Sequence, residues 1–261
     1  MNNSGSLKEA YLVSHRCHER VSALRFMKAR KWYVERLRMT AKKHRIPIIN
    51  YLIEEDGVHF VCAAGTPDII SSMMQELQSS TSKKFASKRG GESSMWQGRF
   101  RATCIHGGTW IKQCMLLLDL QMIATGKYNH PALWEYSGWH ELVGIKRRYR
   151  VISMSHVMEA WGAGTNIKKF RSDYVQAIET CCTDKSFGCL ATWTNALAVG
   201  PYEWIDDVGA SIPQIRKSIN IVPVSASPIN DGAGNTVALR TSTKQRRGYL
   251  GRISRQLTSQ A

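Results

Sequence analysis

Glu54–Val61 reads EEDGVHFV and follows directly on the apolar run IPIINYLI, Ile46–Ile53. An acidic cluster closed by glycine, set between two runs rich in Ile, Val and Phe, predicts a β-hairpin. Within its second strand, Gly57 and His59 are two residues apart, and positions i and i+2 of a strand point the same way. The stretch therefore has two readings: a glycine turn beside an ordinary histidine, or one face of a metal strand with a ligand missing.

The flanking sequence places this hairpin in an alternating order. EAYLVSHR (Glu9–Arg16) predicts a first strand around Tyr11 and Val13. Residues 23–44 space Leu24, Met27, Val34, Leu37 and Met39 as one helical stripe among lysines and arginines. After the hairpin, Thr66 and Pro67 mark the start of a helix with Ile69, Ile70, Met73, Met74 and Leu77 on its apolar face. GRFRATCIH predicts a fourth strand, and the helix beginning at Thr109 ends at Gly126. The expected fold is α+β, a split βαβ (ferredoxin-like) antiparallel sheet with packed helices over residues 1–149. A small helical C-terminal unit is expected over 150–222, from SHVMEAWG, KKFRSDYVQAIETCC and YEWIDDVGASI, with a linker and basic tail over 223–261.

Charge narrows the function. The chain carries 36 Lys+Arg against 20 Asp+Glu, a net +16 that favours polyanionic partners, DNA first and RNA as an alternative. Its longest apolar runs fall short of the roughly 18 residues that a membrane helix needs, and the first residues lack the basic-then-apolar order of a signal peptide. A cytoplasmic protein with no membrane partner is expected. The seven cysteines, with no CxxC pair, suit reduced core residues better than a disulfide framework or zinc module. His15 and His18 around Cys17 lack a second ligand pair at zinc spacing. Cys114 reads as helix core and His106 as a strand end.

Basic residues recur on several elements: Lys28, Arg30, Lys31, Arg36 and Arg38; Lys83, Lys84, Lys88 and Arg89; and Lys146, Arg147, Arg148 and Arg150. Converging, they would position a phosphate backbone without reading its sequence. Arg99 and Arg101 around Phe100, with Trp96 nearby, add surfaces suited to unpaired bases.

MWQGRF, Met95–Phe100, brings a resemblance into view. With YLVSHR, EEDGVHFV, HPALWEYSGWHELVG and WTNALAVGPYEWI in the same order, the chain resembles the single-tyrosine HUH transposases, and among them the REP-associated tyrosine transposases. The likeness spans about residues 8 to 210. It implies two histidines around one apolar residue holding a divalent metal, Mg²⁺ or Mn²⁺, at the scissile phosphate, and a helix tyrosine as nucleophile. Here His59 matches the second histidine, Val58 the spacer, and Gly57 stands in place of the first. LLDLQMIATG aligns Asp119, Leu120 and Gly126, and puts Leu117 or a neighbour at the tyrosine position.

Two substitutes present themselves. Glu55 shares strand parity with Gly57 and His59 as a replacement ligand, and Tyr128 lies past the helix end as a fallback nucleophile. The expectation is a transposase-like protein that binds hairpin or single-stranded DNA without cleavage, needing no cofactor, as a homodimer or within a larger assembly. The alternatives are an active metal-dependent enzyme with a rearranged site, and a structural or RNA-binding subunit.

Overall fold

The computed structural model describes residues 7, 9–18, 23–64, 66–89, 95–210, 219–224 and 236–241. Its first half is built from β1 (Glu9–Arg16), α1 (Met27–Lys43), β2 (Ile48–Ile53), β3 (Gly57–Cys62), α2 (Pro67–Arg89), β4 (Arg101–His106) and α3 (Thr109–Ala124). The strands line up as β2-β3-β1-β4, each neighbour antiparallel, which is the split βαβ order expected from the sequence.

Both faces of this sheet are covered, which is why β2 and β3 are buried at every position. Alternation assigns the faces. On one, Asn50 of β2 donates from its amide to the Met115 carbonyl and the Asp119 carboxylate of α3. On the other, His15 of β1 takes a hydrogen bond from Gln78 of α2 at 3.3 Å and stacks on Trp96, which in turn meets Tyr33 of α1 edge-on. Helix α3 is apolar nearly all round, with Ile111 and every residue from Gln113 to Leu120 buried, as befits a helix held between a sheet and further helices.

The second half adds α4 (Trp139–Leu142), α5 (Met154–Trp161), α6 (Ile167–Asp184), α7 (Leu190–Thr194), β5 (Ala198–Gly200), α8 (Tyr202–Ala210), β6 (Ile219–Pro223) and β7 (Val237–Thr241). Helices α5, α6 and α8 fall where expected. The strands do not: β5 and β6 lie in the stretch read as helical, and β7 in the stretch read as linker. β5 pairs parallel with β4, and β7 pairs antiparallel with both β5 and β6, so the sheet grows to seven strands among the described residues. A three-residue strand such as AVG has no readable period, and VALRT follows a Gly- and Asn-rich stretch that masks it. Residues 242–261, the remainder of the expected basic tail, lie outside the described residues.

Two buried carboxylates join the halves. Glu141, 0% exposed, accepts hydrogen bonds from the Tyr51 hydroxyl (2.9 Å), Lys146 Nζ (2.8 Å), and the Val151 (2.8 Å) and Ile152 (3.0 Å) amides. Asp119 accepts from the Tyr174 hydroxyl of α6 at 2.5 Å and from Asn50 at 3.2 Å. Burial dominates the Asp119 carboxyl and, against the bonds from Tyr174, Asn50 and the Trp139 backbone, pushes it up to about 7.

Removing the Glu141 carboxylate strands three buried donors and a lysine. Glu141→Ala is expected to cost about 3–5 kcal/mol in chemical denaturation. Asp119 gives a pH signature of definite sign. Its pKa is raised in the fold, so its contribution is full below the ordinary carboxylate pKa and is lost as pH rises through about 7. Asp119→Asn should therefore gain on the parent protein, in unfolding midpoint, steadily from pH 4 to pH 7 and no further above it.

Candidate nucleic-acid interface

The EEDG turn is a tight one. Ile53 pairs with Val58 and the Glu54 amide donates to the Gly57 carbonyl at 2.8 Å, so Glu55 and Asp56 are the central turn residues. Strand parity accordingly does not run from Gly57 back to Glu55. It runs across the hairpin: Leu52 opposes His59, Glu54 opposes Gly57, and all four share a face. The carboxylate beside His59 is therefore that of Glu54, with His59 Nε2 donating to Glu54 Oε2 at 3.1 Å. Glu55 turns outward to Lys127 at 3.4 Å.

This pair is almost fully enclosed, His59 being 7% and Glu54 9% exposed. Burial opposes ionisation of Glu54, but the hydrogen bond and charge of His59, with help from Gln121 and Lys127, outweigh it and hold the carboxyl below its usual range. His59 Nδ1 is buried with no hydrogen-bond partner. Gly57 sits opposite Arg16 in β1, and a Cβ added there would lie 3.3 Å from the His15 carbonyl oxygen, a close but not prohibitive approach.

Around the pair opens a cleft of about 510 Å³. β1 contributes Ser14 and Arg16, the hairpin Glu54 and His59, the segment leading into β4 Gln97, Arg99 and Arg101, α3 Gln121, and the α7 region Leu190, Ala191, Thr194 and Asn195. The WQGRF segment is fastened behind it. The Gln97 amide donates to the Arg16 carbonyl at 2.9 Å, His15 Nε2 donates to the Gly98 carbonyl at 3.1 Å, and Trp96 Nε1 donates to Thr81 at 2.9 Å. Burial drives His15 down to about 4, against the bond to Gly98, so the ring is neutral and Nε2 can serve as a donor while Nδ1 accepts from Gln78. The far wall is set by Thr103, whose hydroxyl donates to the Trp193 and Ala196 carbonyls, and by Arg101, which donates to the Asn195 side chain.

Of the residues singled out in the sequence, the cleft gathers His59, Arg99 and Arg101. Trp96 is 5% exposed, stacked on His15, and so packs the core rather than offering a face to a base. Arg30 is 8% exposed; its guanidinium donates to the Leu24 and Arg25 carbonyls and covers the Trp134 and Tyr136 rings, which makes it a structural cation. Lys31, Lys83, Lys84, Arg147 and Arg148 are exposed but line other surfaces. The side chains of Lys88 and Arg89, at the end of α2, lie outside the described residues. Tyr128 packs on Trp134, with ring centroids 5.5 Å apart, and no tyrosine among the described residues lines the cleft. Leu117 is 1% exposed in the core of α3, whereas Gln121, one turn on, faces the cleft.

Ser14, Arg16, Glu54, Gln97 and Gln121 went unread in the sequence, as did the α7 wall. The alternation of β1 carried a signal for the first two, since Ser14 and Arg16 break an otherwise apolar strand on one face. Nothing local announces Gln121 or α7, which reach the cleft through tertiary packing.

Residues 11–112 match a family model described as Transposase IS200 like. This segment, about two fifths of the chain, is similar to the IS200-like transposases. The match takes in the EEDGVHFV hairpin and WQGRF and ends before Leu117. Among solved structures, a REP-associated tyrosine transposase bound to a REP hairpin is 14% identical, with a TM-score of 0.44 over 55% of this chain and 84% of that one. A search of curated proteins gave no match.

The donor set does not fit the metal site that such a relationship implies. Gly57 offers no imidazole, His59 has Nε2 committed to Glu54 and Nδ1 buried, and the described residues hold no group of three or more His, Cys, Asp or Glu side chains suited to a metal ion.

The Glu54–His59 pair is instead expected to behave as a stability element. Since the Glu54 carboxyl is held below its usual range, its contribution is present above the unfolded pKa and is lost as pH falls through the folded one. Glu54→Gln should lower stability by about 1.5–3 kcal/mol near neutral pH, and the gap to the parent in denaturant titrations should close on the acid side, below about pH 4.

Proposed function

We propose that this transposase-related chain binds hairpin or single-stranded DNA non-covalently in the cleft between β1, β3, β4 and α7, and does not cleave it. The observation that carries the reading is the composition of the cleft. Arg16, Arg99 and Arg101 face into it with the amides Gln97, Gln121 and Asn195, while among the described residues neither a tyrosine hydroxyl nor an exposed, unbonded imidazole nitrogen does. Guanidinium groups can take phosphate oxygens bidentately, and amides supply both donors and acceptors for base edges. A phosphotyrosine intermediate needs a hydroxyl in line with the phosphorus, and both Leu117 and Tyr128 are packed elsewhere.

The rearranged active site loses its support on the same geometry, because Glu55 is paired with Lys127 and Tyr128 with Trp134. The net charge of +16 favours DNA as the partner, with RNA the competitor to be tested.

A labelled hairpin oligonucleotide, followed by fluorescence anisotropy, should bind the protein with affinity that falls as salt rises. Replacing both Arg99 and Arg101 with alanine should weaken binding and flatten the log–log salt slope by about 1.4 to 1.8, the release expected for two phosphate contacts. With Mg²⁺ or Mn²⁺ added, denaturing gels should show no protein–DNA adduct. An adduct that disappears in Tyr128→Phe would overturn the proposal, and equal competition by RNA of the same sequence would reduce it to general polyanion binding.

A further inference from the structure

Away from the cleft, residues 144–150, GIKRRYR, form a short segment beside the edge strand β2. Both of its ends are pinned to one buried carboxylate. Lys146 Nζ donates to Glu141 Oε1 at 2.8 Å, and the Val151 and Ile152 amides donate to Glu141 Oε2 at 2.8 and 3.0 Å. The entrance is tightened further: Gly144, at φ +89, packs against the Arg171 guanidinium, and the Lys146 amide donates to the His140 carbonyl at 2.8 Å.

What lies between the pins faces solvent. Arg147, Arg148 and Arg150 are exposed, Ile145 is 67% exposed, and Tyr149 is 74% exposed. Tyr149 also has φ +53, a left-handed conformation rare for a bulky side chain, which the pinned backbone holds in place. The Arg38 guanidinium lies 5.7 Å from its ring centroid and is itself gripped by Glu35 at 2.5 and 3.0 Å. The two carboxylates bonded into this region, Glu35 and Glu141, are thus engaged with Arg38 and Lys146 and leave the three arginines uncompensated by them.

We propose that this segment is a second nucleic-acid contact, in which an unpaired base stacks on the open face of Tyr149 while Arg147, Arg148 and Arg150 hold the adjoining phosphates. An aromatic ring presented on a rigid, strongly basic turn is the arrangement that single strands use, since every base has a π-face and the backbone supplies the charge. An acidic peptide would use the arginines but has no need of the ring. The inference rests on the reading that the chain binds unpaired nucleic acid and is independent of the cleft.

The test uses the full chain and fluorescein-labelled oligo(dT), read by anisotropy in the parent protein, in Tyr149→Ala, in Tyr149→Phe, and in the variant with Arg99 and Arg101 both replaced by alanine. Tyr149→Ala should weaken binding on the order of tenfold to a hundredfold with an unchanged salt slope, and Tyr149→Phe should retain it. An oligo(dT) carrying 5-iodouracil should photocrosslink to Tyr149, as located by mass spectrometry. Unaltered affinity in Tyr149→Ala, or a crosslink confined to the cleft, overturns this inference alone. Loss of binding in Tyr149→Ala with none in the double arginine variant overturns the cleft reading alone. Displacement of the oligonucleotide by poly-glutamate as readily as by unlabelled oligo(dT) overturns the assignment of the segment to nucleic acid.

Discussion

The antiparallel register of β1 against β3 is the constraint on which the rest of the cleft depends. Ser14 beside His59 and Arg16 beside Gly57 are consequences of that single alignment. A slip of one residue would set His59 opposite Val13 or His15 and send it to the α2 face, because side chains alternate with a period of two. The register is well fixed, since both faces of β3 are buried and neither tolerates exchange. It also fastens WQGRF, because His15 and Arg16, one on each face of β1, both bond to that segment, and Arg99 therefore inherits its position from β1.

Three carboxylates are buried near the joints of the molecule, and their neighbours give them different characters. Glu141 has four donors around it and acts as a knot between β2, α4 and the 146–152 segment. Glu54 has an imidazole and is held ionised against its burial. Asp119 has a hydroxyl and an amide but no cation, so burial wins and its carboxyl rises to about 7. Similar burial thus gives opposite outcomes according to whether a positive partner is supplied. The same reasoning separates the arginines: Arg30 covers aromatic rings and caps backbone carbonyls inside the fold, while Arg99 and Arg147 have comparable charge and remain outside.

Much of the first half was legible because its elements are long and periodic. The helical stripe of α2, the apolar strands β2 and β3, and the glycine ending α3 are local signals, and the sheet order follows from short connections between them. What escaped the sequence was decided by tertiary geometry. Glu55 is in phase with His59 only if the strand is extended back through the turn, but β3 begins at Gly57, after the turn residues Glu55 and Asp56, which hands the site to Glu54. Trp96 and Arg30 were judged by residue type, but Trp96 is consumed by Thr81 and His15, and Arg30 by carbonyls and aromatic rings. β5 and β7 are too short, and too poorly flanked, to announce themselves before β4 offers them an edge.

Gly57, at the end of the hairpin turn, also bears on the role of His59. A metal-ligating imidazole presents one nitrogen to the ion and steadies the other with a second partner. Here the carboxylate takes Nε2 and Nδ1 is buried without a hydrogen-bond partner, so His59 serves the β2–β3 hairpin as a packing and pairing residue. With Gly57 opposite Arg16, the strand presents no second imidazole beside His59. On the proposed reading the contacts come from the rim of the cleft, whose guanidinium and amide groups make reversible hydrogen bonds.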